Sequence, residues 1–109
     1  MTQAVIVLTT LPAEAADDFA HTLVSERFAA CVNVLPSMRS TYRWQGAVET
    51  ASERQVIIKT APSRLDALKE RIKALHPYDV PELLVLSVVD GGAEYLDWVA
   101  ASVDASGGA

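Results

Sequence analysis

A chain of 109 residues, half of them hydrophobic, has the size of one compact domain and enough apolar material for a core without disulfides or a structural metal. The net charge of −5, with no lysine- or arginine-rich run, argues against a nucleic-acid partner, whose phosphates require a basic stripe. The one cysteine, Cys31, excludes an internal disulfide and fits a reducing compartment, and the apolar run in MTQAVIVLTT is too short for a signal peptide or membrane span. The expectation is a cytoplasmic single domain over residues 1–103, with no membrane partner and a disordered tail at 104–109.

AVIVL (4–8) is a short β-branched run that suits a strand buried on both faces. Pro12 and Glu14 then suit a first helical turn, and Ala16, Phe19, Ala20, Leu23 and Val24 recur behind them at helical spacing. CVNVL (31–35) reads as a second strand, interrupted by Pro36 and Ser37 before MRSTYRW (38–44) continues extended. Gln45-Gly46 makes a tight hairpin turn into a strand AVE (47–49), and QVIIKTA (55–61) is the next clear strand. Ser63 and Asp66 stand as cap and N3 residue of a second helix, PSRLDALKERIKAL, whose stripe is Leu65, Leu68, Ile72 and Leu75. That helix must end near His76, because Pro77 pushes the residue before it out of the α region. ELLVLSVVD (82–90) is the last main strand, Gly91-Gly92 a turn, and AEYLDWVAASV a short final helix.

The order β-α-β-β-α-β is the split βαβ, ferredoxin-like arrangement of the α+β class, here with an extra hairpin extension and a C-terminal helix. Helices cover only one face of such a sheet. Residues 4–8, 56–58 and 83–86 are apolar at consecutive positions, so the other face also wants burial. A closed homo-oligomer would provide it, and a final helix folded over that face is the alternative.

In TTLPAEAA, SERFAACVNVLP, STYRWQGAVE, VIIKT, LHPYDVPELLVLSV and EYLDWV, taken in this order and spacing, the chain resembles the CutA-type divalent-cation tolerance proteins over residues 4 to 99. The resemblance implies a ferredoxin-like subunit, a tight homotrimer, an architectural likeness to PII-type signal proteins, and a role in tolerance to copper and other divalent cations. No catalytic reaction is attached to it, and no nucleophile–base spacing in the sequence suggests an enzyme.

His76 is the candidate metal ligand, since neutral imidazole suits copper and zinc; capping the last helical carbonyls is its other reading. A transition-metal site wants three or four ligands. Some relatives place a cysteine at the position of Thr9 and a second histidine at that of Leu75, and this sequence has neither. Cys31 is either a small packed hydrophobe or a ligand. Tyr42, Trp44, Lys59, Tyr78 and Glu82 match the other motifs of the resemblance and would wall a cleft between subunits. Lys59 would meet a small anion there, or form an inter-subunit salt bridge with Glu82 or Glu49. His21 is expected on the surface of the first helix. Two functions follow: a copper- or divalent-metal-binding tolerance protein, or a PII-like sensor of a small anion or metabolite.

Overall fold

The computed structural model describes residues 3–104, so the tail expected at 104–109 lies, apart from Asp104, outside the described residues. Strand β1 (Val5–Leu11), helix α1 (Ala13–Ser25), strands β2 (Cys31–Trp44) and β3 (Ala47–Thr60), helix α2 (Leu65–Leu75), strand β4 (Leu84–Ser87) and helix α3 (Ala93–Ser102) follow one another along the chain. The sheet order is β2-β3-β1-β4, and every neighbouring pair is antiparallel. This is the ferredoxin-like topology expected from the sequence.

Alternation along β1 and β3 builds the core. Val7, Leu11, Val56 and Ile58 are buried together with Ala16, Phe19 and Leu23 of α1 and Leu68 and Ile72 of α2. Val24, placed on the α1 stripe by its spacing, is instead 42% exposed. Helix α1 stops where Arg27 takes a φ of 62° and the Phe28 N–H reaches back to the Leu23 carbonyl, a Schellman closure made without glycine.

Three local expectations need correction. β2 runs unbroken across Pro36 and Ser37, because a register shift between Val34 and Ser37 absorbs the missing proline N–H as a bulge. The strands expected at 47–49 and 55–61 are one 14-residue strand, since Ala47 to Thr50 pair against Thr41 to Trp44 in continuous register. Ser63 does not cap α2: Pro62–Arg64 form a 3-10 turn and no side chain caps the helix.

The long hairpin has a consequence for the shape. β1 pairs with β3 only from Arg54 to Thr60, so residues 47–53 pair with β2 alone and project as a two-stranded arm. The longest dimension is 46 Å against 26 and 24 Å for the other two. Gln45 and Gly46 turn the arm with φ of 50° and 81°, the paired positive values of a type I′ turn.

On the sheet face away from the helices, Ile6, Leu8, Leu84 and Leu86 are cross-strand partners. Leu84 and Leu86 are 55% and 46% exposed, and β4 is confined to 84–87 rather than the 82–90 expected. Helix α3 does not cover them. It buries Val99 against Ala4, Ala30 and Ala61, with Val103 beside it, while Tyr95 and Trp98 stay exposed.

Candidate functional site

The corner between α2 and β4 is held by one histidine. Pro77 forces His76 out of the helix, at φ −75° and ψ 134°, which turns its ring toward the end of β1. Its Nε2 lies 2.8 Å from the Thr10 carbonyl oxygen, and its Nδ1 lies 3.2 Å from the backbone nitrogen of Tyr78. A carbonyl accepts and an N–H donates, so the ring is the neutral tautomer with its proton on Nε2. Phe19 and Tyr78 enclose it at centroid distances of 6.2 and 4.9 Å. Burial lowers the basicity of His76, more strongly than the Thr10 bond and the Glu53 charge restore it.

Tyr78 carries the linkage onward, its hydroxyl donating to Glu53 Oε2 at 2.8 Å. Burial first, and this bond second, raise the phenol far above its ordinary range, so Tyr78 is a donor at all physiological pH. Next to it, Gln55 donates from Nε2 both to the Thr9 carbonyl at 2.8 Å and to Glu82 Oε2 at 3.0 Å. The root of the arm and the 77–82 corner are thereby tied to each other and to the end of β1.

Between arm and corner lies an open cavity of about 860 Å³. Period-two alternation brings Met38, Ser40, Tyr42 and Trp44 of β2 to it, facing Ala51, Glu53 and Gln55 of β3. The corner adds Tyr78, Asp79 and Glu82. The same alternation turns Arg39, Arg43 and Arg54 away. Arg54 instead donates to the Leu35 carbonyl at 2.7 Å and approaches Asp17 at 3.8 Å.

Four of the residues singled out from sequence, Tyr42, Trp44, Tyr78 and Glu82, therefore meet in one cavity, with His76 directly behind its wall. Cys31 and Lys59 do not join them within the chain. They are cross-strand partners at the opposite end of β3, and Lys59 stands six residues, about 20 Å, from Glu53. Within the chain Glu82 accepts from Gln55, and Glu49, opposite Tyr42, is ten residues from Lys59 along the strand, so a pairing of Lys59 with either acid would be between subunits. His21, expected without a role, lies in α1 with Nδ1 3.2 Å from the exposed Ser25 hydroxyl.

Sequence reasoning missed Glu53, Gln55 and Asp79. In ASERQV, Glu53 reads as one charge in a polar run, yet it is 7% exposed. The continuity of β3 through residues 47–60 places Glu53 on the same face as Gln55, and the corner residue Tyr78 covers it there.

The residues present do not fit a transition-metal ion held by one chain. Both His76 nitrogens are engaged by the backbone, so a metal at Nδ1 would have to displace the Tyr78 N–H. No three His, Cys, Asp or Glu side chains converge on a common point among the described residues. The buried Thr9 hydroxyl has no hydrogen-bond partner among the described residues.

The sheet order, the helices on one face and the overlong hairpin define an α+β chain of ferredoxin-like class. Comparison with known proteins narrows the class. Residues 5–102 match the family described as CutA1 divalent ion tolerance protein, and the chain belongs to that family. The divalent-cation tolerance protein CutA of Thermus thermophilus is 50% identical over 95 residues, covering 86% of this chain and 92% of that protein. A rice relative named Protein CutA 1, chloroplastic, is 46% identical over 87% of this chain, which spans 54% of that longer protein. Among solved structures, CutA from Xylella fastidiosa superposes with a TM-score of 0.90 at 41% identity, covering 94% of this chain and all of that one. A Nostoc protein described as PII-like CutA superposes at 0.87 with 37% identity, covering 91% and 96%.

Proposed function

We propose that this chain contributes to divalent-cation tolerance as a non-catalytic, cytoplasmic homotrimer, with copper or another divalent ion as the cation concerned. The observation that carries this reading is the family match across residues 5–102. The trimer is supported by what the single chain leaves uncovered: Leu84 and Leu86 on the open sheet face, Tyr95 and Trp98 on α3, and a two-stranded arm that is marginal without cover. No helix among the described residues is long and apolar enough to cross a membrane. The net charge of −5 likewise disfavours nucleic acid. Because no site in one chain fits the metal, tolerance is assigned to the assembled protein and not to a His76-centred ion.

A second reading is favoured by the cavity and by the likeness to a PII-like protein: a sensor whose ligand occupies the space between arm and corner. The anion expected there finds no lysine or arginine on its walls.

The test is a strain lacking the gene, challenged with graded Cu²⁺ and complemented with this chain. Restored growth is the expected result; growth indistinguishable from the empty vector refutes the role. Light scattering on the same protein should give three times the chain mass, and a monomer persisting at about micromolar concentration refutes the trimer.

A further inference from the structure

We propose that His76 makes the 77–82 corner an acid-released latch: the neutral ring holds the corner backbone at Nδ1, and a proton placed there breaks that hold. The device depends on which nitrogen does what. Nε2 faces the Thr10 carbonyl oxygen at 2.8 Å, so it carries the ring proton. Nδ1 is therefore the bare lone pair, and it accepts the Tyr78 N–H at 3.2 Å. A second proton has only Nδ1 to go to. The imidazolium would then set its new N–H against the Tyr78 N–H, two donors with no acceptor between them.

Little else holds this backbone. Among the described residues, no backbone–backbone hydrogen bond outside the regular elements reaches residues 77–82, and Pro77 and Pro81 carry no N–H to offer one. Two side-chain bonds complete the attachment, Tyr78 to Glu53 at 2.8 Å and Gln55 to Glu82 at 3.0 Å. Asp79 and Val80, between the prolines, are already exposed. Loss of the Nδ1 bond therefore frees the main chain from Tyr78 to Val80, while Gln55 keeps its hold on Glu82.

The surroundings of the ring set the direction of the switch. It meets the Thr10 carbonyl from β1, Phe19 from α1, Glu53 from β3 and Tyr78 from the corner, and on α2 the Ile72 carbonyl accepts the His76 backbone N–H. Glu14 of α1 and Tyr42 of β2 act on Tyr78. The Glu53 charge favours the imidazolium, and burial opposes it more strongly. The closed corner thus keeps the ring neutral, and an open corner returns it to water and to its ordinary pKa of 6.5. Opening and protonation are linked. Below about pH 6.5 each pH unit favours the open corner by up to about tenfold, until the closed ring also protonates.

The test is amide hydrogen exchange followed by NMR on the intact protein, corrected for intrinsic exchange rates, at about pH 7.5 and about pH 5.5. The Tyr78 N–H should lose about threefold to tenfold in protection over that range. It should also exchange at least about tenfold faster than the Val7 N–H in the centre of β1, because the corner opens without global unfolding. His76→Gln places an amide that can still accept from Tyr78 and donate to Thr10 but takes no proton, so its Tyr78 protection should not change with pH. Tyr78→Phe removes the bond to Glu53 and keeps the one to His76, and the pH response should persist. Protection of Tyr78 that is independent of pH in the wild type refutes the latch, as does protection equal to that of Val7. A pH response retained in His76→Gln, or lost in Tyr78→Phe, overturns the assignment to His76 and moves the switch to the Tyr78–Glu53 pair.

Discussion

Replacing His76 by alanine separates the two roles the sequence allowed it, corner pin or metal ligand. Removing the ring leaves the Thr10 carbonyl and the Tyr78 N–H without partners in a region where His76 itself is only 8% exposed. Each orphaned buried group costs about 1–3 kcal/mol, and the lower end applies because the adjacent cavity admits water. Loss of the ring contacts with Phe19 and Tyr78 adds about 1 kcal/mol. The sum is a destabilisation of about 3 kcal/mol, large for a single substitution. Urea unfolding of wild type and variant at one fixed protein concentration reads it directly, since any oligomer makes the midpoint concentration-dependent. A parallel Cu²⁺ titration, in buffer where both proteins are fully folded, should give the same affinity for both. A stability change below about 1 kcal/mol together with lost saturable Cu²⁺ binding would refute the pin and restore His76 as a ligand.

Two further substitutions follow from the same region. Thr9→Val removes a buried hydroxyl that has no partner and keeps a β-branched shape suited to β1, so stability should rise by about 1 kcal/mol in urea unfolding; a fall would mean that the hydroxyl has a water or ligand partner. The pH dependence of stability should carry a His76 contribution of definite sign. Burial lowers its folded-state pKa below the ordinary 6.5, so as pH falls through that value the unfolded chain takes up the proton first. The stabilisation is thus full above about pH 6.5 and declines below it, at no more than about 1.4 kcal/mol per pH unit, until the folded ring also protonates. The groups facing the ring are the Thr10 carbonyl from β1, Phe19 from α1, Glu53 from β3 and Tyr78 from the corner. His76→Gln should flatten the decline between about pH 7 and 5.5, and an unchanged slope in the variant would assign it to other groups.

The frame was legible because its signals are local. β-branched runs, the helical stripe of Leu68 and Ile72, and Pro77 after His76 each specify an element without reference to the rest of the chain. Tyr42, Trp44, Tyr78 and Glu82 were legible through resemblance to a family whose motifs carry them. What escaped depends on pairing. The bulge between Val34 and Ser37 decides which residues of β2 face the corner, and a one-residue difference there would exchange Met38 for Ser37 or Arg39. Lys59 lies apart from this cavity within one chain, because sequence places it in a strand but does not say how far along the sheet that strand carries it. Ser63 failed as a cap because Pro62 tightened the entry into a 3-10 turn and set the helix start at Leu65.

His76, Tyr78 and Glu53 form one continuous connection from the end of β1 to the cavity, and its polarity matters. Thr10 fixes the proton on Nε2, which leaves Nδ1 to hold the Tyr78 backbone, and Tyr78 in turn donates to Glu53. The His76 Nε2–H and the Tyr78 N–H donate toward β1, and the Tyr78 hydroxyl donates toward the carboxylate. A metal at His76 would remove the Tyr78 N–H from its acceptor and loosen the corner. Metal binding at His76 would therefore compete with the hydrogen bond that holds the corner. The connection that engages both nitrogens of His76 is also what holds Glu53 at the cavity wall.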